Sequence, residues 1–387
     1  MKTKISGTGM VLGKRVVTND EFVALCKKND DKTELARQFA QKAKAENKET
    51  NADWIRIRTG IEQRVWIDTW HTRQDGLEGP GVTMEEWMEN RGACINTSDL
   101  AADAARNAIA DAGLQPGDID CSIWASLSAD HHFPGLGNYA FDKTGLKEGT
   151  PAFSIMQQCS GFIYGTVMAH SFIKSGSYKH ILVVGAEIHS VWQDLTTRGR
   201  EAAPIFGDGA AAIIFSASDD DSDVLSYCLG SNGDTEPLNV LVHNSACGET
   251  WGRIDADYKY IHPNMQGNKI FKHAVKGMVA SISEVLGSAG VAAGDVNWFI
   301  PHQANHNINV VVAEFLGSEV KYRKDDAPIL KDDRWLSNIQ KYGNLSAASI
   351  PTLIHENLKN GKIQRGDLCV LAAFGAGLNW GAVLFRY

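Results

Sequence analysis

Between Ser154 and Ser175 the chain reads SIMQQCSGFIYGTVMAHSFIKS, and this stretch leaves few folds open. A β-leaning run, Pro151-Ala-Phe-Ser-Ile-Met, leads into Gln157-Gln158-Cys159-Ser160-Gly161. About four helical turns follow, apolar on nearly every side, until Gly176 stops them. A helix without a polar face belongs in the interior, so the rest of the chain must be built around it. Cys159 falls at the strand-to-helix turn, on a rigid buried element. Backbone N–H groups at a helix start carry partial positive charge, which favours thiolate and lowers a cysteine pKa. Cys159 is therefore a candidate nucleophile; the alternative from this stretch alone is a small buried hydrophobe.

The 387 residues exceed what one growing core holds, so two core units or two fused halves are expected. No apolar run approaches the roughly 20 residues that span a bilayer. Lysines near Met1 are not followed by a continuous apolar segment, so no secretory signal is read and cytoplasmic residence is expected. The seven cysteines, at 26, 94, 121, 159, 228, 247 and 369, are scattered with no C-x-x-C pair, the pattern of free thiols. With a net charge of −8 and no long basic run, nucleic acid is not an expected partner.

Along the chain, a short β-prone piece, a Gly-rich turn and Lys14-Arg-Val-Val-Thr precede Asn19-Asp20, which looks like a helix cap. Lys27 to Asp53 turns polar and helix-forming, a surface helix in an insertion. Trp54-Ile-Arg-Ile-Arg-Thr-Gly-Ile-Glu-Gln-Arg-Val alternates in a β-like manner around Gly60. Trp66 to Thr97 is rich in Trp and Gly with little periodicity, as in functional or mobile loops. A helix over Asp99 to Gly113 and buried strands at Cys121-Ser-Ile-Trp-Ala-Ser, His180 to Ile188 and Ile205 to Phe215 then interleave with the central helix. This is the order of a layered α/β sheet. Asp219-Asp-Asp-Ser-Asp is a solvated turn and a plausible joint. Beyond it the style repeats: a helix near 268–289, the strand Val296 to Pro301, helices after Asn305 and Ser346, and strand-turn-strand from Leu368 to Tyr387. The chain thus divides into residues 1–218 and 219–387.

Two later segments offer partners for Cys159. Pro301-His302-Gln-Ala-Asn305-His306 ends an apolar strand and opens a helix, where open α/β sheets converge on ligands. Tyr342-Gly343-Asn344-Leu-Ser-Ala-Ala-Ser has the same form, a polar tip followed by small residues. The Gly-rich turn Phe374-Gly-Ala376-Gly could donate backbone N–H groups to an oxyanion. His302-x-x-x-His306 has zinc-like spacing, but Gln303 cannot replace a carboxylate base and no third ligand is evident, so no metal is expected. No G-x-S-x-G elbow marks a serine hydrolase.

Together these segments resemble the β-ketoacyl-acyl carrier protein synthase III branch of the thiolase superfamily. The motifs are C-S-G-F at Cys159, P-H-Q-A-N at 301–305, G-N-x-S-A-A-S at 343–349, F-G-D-G-A at 206–210 and F-G-x-G-x-x-W-G at 374–381. The resemblance implies a thiolase fold, two pseudo-symmetric α/β halves in five layers (αβαβα), working as a homodimer. Carried over by position, Cys159 takes an acyl group from a thioester, and His302 and Asn344 hydrogen-bond the carbonyl of the second substrate. The N–H groups of Cys159 and Ala376 form the oxyanion hole. Trp54 and Arg58 fall where an aromatic ring and an arginine hold the adenine of coenzyme A. Arg198, 39 residues after Cys159, falls near its phosphates and Asn305 at its pantetheine. Phe133 and Phe374 fall at the acyl pocket, Phe133 reaching into the partner subunit. No permanently bound cofactor is implied; coenzyme A enters as a thioester substrate, with a malonyl thioester second and acyl carrier protein as a possible partner.

Departures from the family pattern qualify this. Asn307 replaces a basic residue used in carrier-protein docking. Ala376 replaces a glycine but keeps its backbone N–H. Insertions near 27–53 and 67–95 flank the coenzyme-binding stretch. The expected reaction is decarboxylative Claisen condensation of an acyl and a malonyl thioester to a β-ketoacyl product, in fatty-acid or polyketide biosynthesis. The alternatives are a relative joining two acyl or β-ketoacyl chains, an acyltransferase of secondary metabolism, and a non-catalytic partner subunit. Relatives that deprotonate an acyl substrate place a glutamate where Phe133 stands, Asn344 rather than aspartate favours condensation, and an intact Cys159, His302 and Asn344 argue against the partner subunit.

Overall fold

Two mixed sheets with helices between and outside them make up the molecule. The structure, a computed structural model, describes residues 1–46, 48–72, 78–80, 95–131, 133–233, 241–242, 264–265, 267–323 and 326–387. From the N-terminus come β1 (Lys2–Leu12), β2 (Arg15–Thr18), α1 (Asn19–Asp30), α2 (Glu34–Ala45), α3 (Ala52–Thr59) and β3 (Gln63–Trp66). Next are α4 (Thr97–Asp111), β4 (Cys121–Ala125), α5 (Leu136–Thr144), β5 (Ala152–Ile155), α6 (Gly161–Lys174), β6 (His180–Glu187) and β7 (Gly209–Ser218). The remainder gives β8 (Asp223–Ser231), α7 (Gly267–Ala289), β9 (Trp298–Pro301), α8 (His306–Phe315), α9 (Ser349–Lys359), β10 (Leu368–Gly375) and β11 (Asn379–Arg386).

The first sheet has strand order β1-β7-β6-β4-β5 and the second β8-β11-β10-β9. Their senses correspond strand by strand. In each, two antiparallel pairings lead to a parallel one, β6 with β4 and β10 with β9. A parallel bridge of Phe299 to Trp335 stands where β5 pairs with β4 in the first sheet. The two sheets are thus pseudo-symmetric copies, joined by the acidic turn between β7 and β8.

Packing stacks them in five layers. Phe162, Ile163 and Ile173 of α6 and Ile350, Leu353 and Ile354 of α9 share one core with strands of both sheets, so these helices are the central layer. Burying each such side chain is worth roughly 1.5–3 kcal/mol, which is why the apolar helix is enclosed. The alanine-rich face of α4 covers the outer side of the first sheet. α7 and α8 cover the second through Met278, Ile282, Ile308 and Val312.

Local readings hold with two corrections. The first helix is capped one residue earlier than Asn19, by Thr18, whose side chain and that of Glu21 form a reciprocal capping box. Trp54 to Thr59 is helical as α3, not β. Asn51 accepts the Trp54 N–H on its side chain, and Gly60 closes the helix in the left-handed region at φ 73°. Caps at both ends override the apolar–basic alternation. The helix expected in the first insertion is α2. Of the second insertion, a short pairing of Trp70–Thr72 with Glu78–Pro80 is described; the rest of 67–95 largely lies outside the described residues, as do Cys94 and Cys247. The five described cysteines are free thiols.

Candidate active site

Cys159 lies in a short 3-10 turn, Gln158–Ser160, between β5 and α6. Gln158, just before it, adopts a left-handed φ of 46°, a backbone strain typical of functional turns. The end of β10 passes against this turn: a Cβ on Gly375 would stand 3.1 Å from the N atoms of Cys159 and Ser160. Ala376 follows, opening the turn to β11. Both backbone groups expected at the oxyanion hole therefore belong to adjoining segments.

Asn344 sits at the corresponding place in the second half. Its N–H donates to the Ile205 carbonyl at 2.8 Å, and its carbonyl accepts from Gly207 N–H at 3.0 Å. Its side-chain Oδ1 accepts from Ser346 N–H at 2.7 Å, which leaves the NH₂ as the end available to donate. Ser346 also places its hydroxyl 3.4 Å from Cys159 Sγ. One serine thus connects the thiol and the amide. The turn of Ser346–Ala348 lies so close to β6 that a Cβ on Gly185 would stand 2.3 Å from the Ala347 carbonyl oxygen.

His302 follows β9. Its N–H donates to Ala372 of β10 at 2.8 Å, and its carbonyl accepts from Asn309 Nδ2 at 3.2 Å. The ring is buried, and neither nitrogen has a hydrogen-bond partner. Burial, helped by His189, pushes its pKa down to about 3, so the imidazole is neutral and has one N–H to give. Gln303 is buried and bonded to Pro301 and Ser337, while His306 meets the Pro328 carbonyl.

The thiol departs from the sequence expectation. A helix start lowers a cysteine pKa, yet here burial pushes Cys159 up to about 12, with the hydrogen bond from Ser346 only partly offsetting it. The residue keeps some exposure, but its sulfur accepts from the Ser346 hydroxyl. Desolvation of the thiolate outweighs the partial charge of the helix end.

At the candidate coenzyme entrance, Trp54 projects from α3. The Arg58 guanidinium lies over its ring at 4.9 Å and that of Arg200 at 4.4 Å. Arg198 instead pairs with Asp194 at 2.6 Å. Asn305 caps α8 and donates to the Arg58 carbonyl at 2.9 Å, and Asn307 donates to Ile57 and Arg58 carbonyls, so α3 is clamped onto α8. A cavity of about 420 Å³ opens between α1, α2 and the Thr196–Arg200 segment, away from Cys159 but touching Arg200. Phe133 is 78% exposed, whereas Phe374 is buried against Trp380 and α7 on the outer face of the second sheet.

Several residues of the site were not singled out from sequence. Ser346 was legible only as a small residue of its motif, and Arg200 lay two positions beyond the arginine chosen by spacing. Glu187 is fully buried and hydrogen-bonded, with burial raising its pKa to about 7. Asp208 of F-G-D-G-A accepts from the N–H groups of Ile67, His189 and Ser190, anchoring the loop after β6.

This fold and site define a cysteine-containing condensing enzyme of the thiolase fold. Residues 286–387 match the family model 3-oxoacyl-[acyl-carrier-protein (ACP)] synthase III C terminal, and residues 153–233 match 3-oxoacyl-[acyl-carrier-protein (ACP)] synthase III. The β-ketoacyl-[acyl-carrier-protein] synthase III of Aquifex aeolicus is 36% identical over 390 residues, covering 100% of each chain. That of Neisseria gonorrhoeae (strain NCCP11945) is 35% identical over 99% of each. Among solved structures, the Aquifex aeolicus synthase superposes with a TM-score of 0.77 at 34% identity over 100% of both chains. The Pseudomonas aeruginosa synthase does so at 0.76 and 28%, covering 100% of this chain and 98% of the other. The chain belongs to the β-ketoacyl-[acyl-carrier-protein] synthase III family. It is a ketosynthase, a transferase that condenses an acyl with a malonyl thioester, as in fatty-acid biosynthesis. Among the described residues no helix is long and apolar enough to cross a membrane.

Proposed function

We propose that Cys159 is the acyl acceptor, that His302 and Asn344 serve the malonyl thioester, and that coenzyme A delivers the first acyl group past Trp54. The observation that carries this is Ser346, which holds the Cys159 sulfur at 3.4 Å and the Asn344 amide at 2.7 Å. Sulfur attacks the thioester carbonyl, and the N–H groups of Cys159 and Ala376 hold the oxyanion. When it collapses, the donor thiolate leaves. The malonyl thioester then loses CO₂: its C–C bond breaks and the electron pair becomes an enolate. The His302 N–H and the Asn344 NH₂ donate to the enolate oxygen; a neutral, desolvated imidazole suits this because its hydrogen bond is not spent elsewhere. The enolate carbon bonds to the acyl carbon, the C–S bond breaks, and Cys159 is released with the β-ketoacyl product.

At the entrance, stacking of Arg200 and Arg58 on Trp54 supports an adenine site in which Arg200 is the second cation, with Arg198 and Asn305 farther along the coenzyme. The partner subunit's copy of the exposed Phe133 borders the acyl chain in a cytoplasmic homodimer, whereas Phe374, packed against Trp380 on the outer face of the second sheet, does not reach it. Residues 1–218 form the half that supplies the nucleophile, and 219–387 the half that supplies the donors. The malonyl group arrives on acyl carrier protein or coenzyme A.

Intact-protein mass spectrometry with acyl-coenzyme A thioesters from two-carbon to long-chain tests this, with Cys159→Ala as control. A mass gain of one acyl group, absent from Cys159→Ala, is expected. Labelling that persists in the variant would overturn the assignment.

A further inference from the structure

The condensation scheme leaves one buried charge without a task. Arg64, in β3, has no exposed surface, and none of its described hydrogen-bond partners is a carboxylate. Its Nη1 donates to the Val17 carbonyl at 3.2 Å, and Nη2 to Asn19 Oδ1 at 2.5 Å and the Pro204 carbonyl at 2.9 Å, while Nε has no partner. Burial pushes its pKa down only to about 9, so the guanidinium keeps its charge at neutral pH. Withdrawing such a charge from water opposes folding, and the oxygens that offset it come from the β2–α1 junction on one side and from Pro204 on the other. Asn19 is itself fixed, its Nδ2 donating to the Ile61 carbonyl at 2.7 Å.

Pro204 opens the segment that holds Asn344. Along residues 204–208 successive positions face opposite ways, the period of an extended chain. Ile205 and Gly207 face Asn344, whose N–H donates to the Ile205 carbonyl at 2.8 Å and whose carbonyl accepts from Gly207 N–H at 3.0 Å. Pro204, Phe206 and Asp208 face β3. Besides Arg64 on the Pro204 carbonyl, Trp66 Nε1 donates to the Phe206 carbonyl at 3.0 Å and Asp208 N–H to the Val65 carbonyl at 2.7 Å. One ply of chain thus separates Arg64 from Asn344, and it fits without slack. A Cβ on Gly207 would stand 2.1 Å from the Tyr342 carbonyl oxygen, and one on Gly343 would stand 2.8 Å from that of Ile205 and 3.1 Å from Arg64 Cβ. A shift at Pro204 therefore passes to Asn344.

We propose that Arg64 is a positioning residue for the malonyl half of the reaction: by fixing the Pro204 carbonyl it sets the Asn344 amide at the enolate oxygen. The proposal rests on the assignment of Asn344 as a donor to that oxygen. A planar guanidinium presents its donors in fixed directions, and charge-assisted hydrogen bonds are roughly twice as strong as neutral ones. Lysine would bring the charge without the fork. Donors to a developing oxyanion act by standing in place beforehand, within about 0.5 Å. Cys159 is set instead by the turn before α6 and the end of β10, so its acylation is an internal reference.

Full-length Arg64→Lys, Arg64→Ala, Asn344→Ala and the double variants at these two positions are followed at saturating substrate. Rapid-quench mass spectrometry times acylation by an acyl-coenzyme A, and CO₂ release from malonyl-coenzyme A and malonyl-acyl carrier protein is timed on the same samples. Only protein that becomes acylated is counted, which removes any unfolded fraction. The ratio of decarboxylation to acylation rate is expected to fall about tenfold in Arg64→Lys and on the order of a hundredfold in Arg64→Ala and Asn344→Ala. It falls no further when either Arg64 change is added to Asn344→Ala, as for residues acting as one unit. Arg64→Lys, alone and with Asn344→Ala, decides the matter if Arg64→Ala does not fold. An unchanged ratio in the Arg64 variants, or losses that multiply in the double variants, overturns the proposal. An unchanged ratio in Asn344→Ala would instead overturn the assignment on which it stands.

Discussion

Two arginines two residues apart have different duties. Arg200 lies over Trp54 and borders the cavity beneath α2, while Arg198 is committed to the carboxylate of Asp194. A guanidinium on an indole is worth between about 1 and 2 kcal/mol as a ligand desolvates it, on the order of a tenfold change in affinity. Arg200→Ala is therefore expected to raise KM for an acyl-coenzyme A on the order of tenfold, and Arg198→Ala to raise it less; steady-state kinetics of both variants decide, and the reverse order would move the adenine site. Counting from Cys159 led to Arg198 alone, because spacing along a loop does not tell which of two nearby arginines lies over Trp54. Cys159, His302 and Asn344 were legible as candidates because each stands just ahead of a helix within a distinctive motif. Ser346 was not, since its significance lies in a hydrogen bond to Cys159, far away in sequence.

At the level of elements, the coenzyme-side helix is held by its ends. Asn305 accepts from Asn307 N–H to cap α8 and donates to the Arg58 carbonyl at the end of α3. A Cβ on Gly60 would stand 2.3 Å from the His306 Cβ, so the two helix ends touch without spare room. Asn305→Ala removes a cap and strips a partner from a helix-end carbonyl, and should cost roughly 1–2 kcal/mol. Urea denaturation should show that loss, accompanied by a higher KM for acyl-coenzyme A because α3 carries Trp54. Undiminished stability would mean that water replaces both bonds. This clamp also explains why the 54–59 segment misled the sequence reading: alternation of Ile and Arg over six residues is a weak signal beside two caps. Long elements of uniform character, such as α6 and β6, were readable because burial on every side leaves little freedom in composition.

For the molecule as a whole, Phe133 is the most exposed of the large apolar side chains described, at 78%. An aromatic ring left so bare on a folded surface calls for a cover. Sedimentation equilibrium is expected to give twice the 42.2 kDa chain mass, with Phe133→Asp shifting the population toward the single chain. A single-chain mass for the unaltered protein would remove the partner from the acyl pocket. The layered α/β class and the repeated plan were legible from the rhythm of strands and helices. The strand order was not, because pairing between distant segments leaves no local mark.

That strand order has a consequence for how the protein is made. Among the described residues β1 pairs with β7 and with no other strand of its sheet, Lys2 lying opposite Ser218. At about 5–20 residues per second, a ribosome needs roughly ten to forty seconds to deliver that partner after the first strand emerges. Through that interval the strand displays unpaired N–H and C=O groups and its half-apolar faces to the cell, the condition in which edges mispair. The nascent chain is thus most vulnerable before its first two hundred residues are complete, and the closing strand of the sheet is also the end of its exposure.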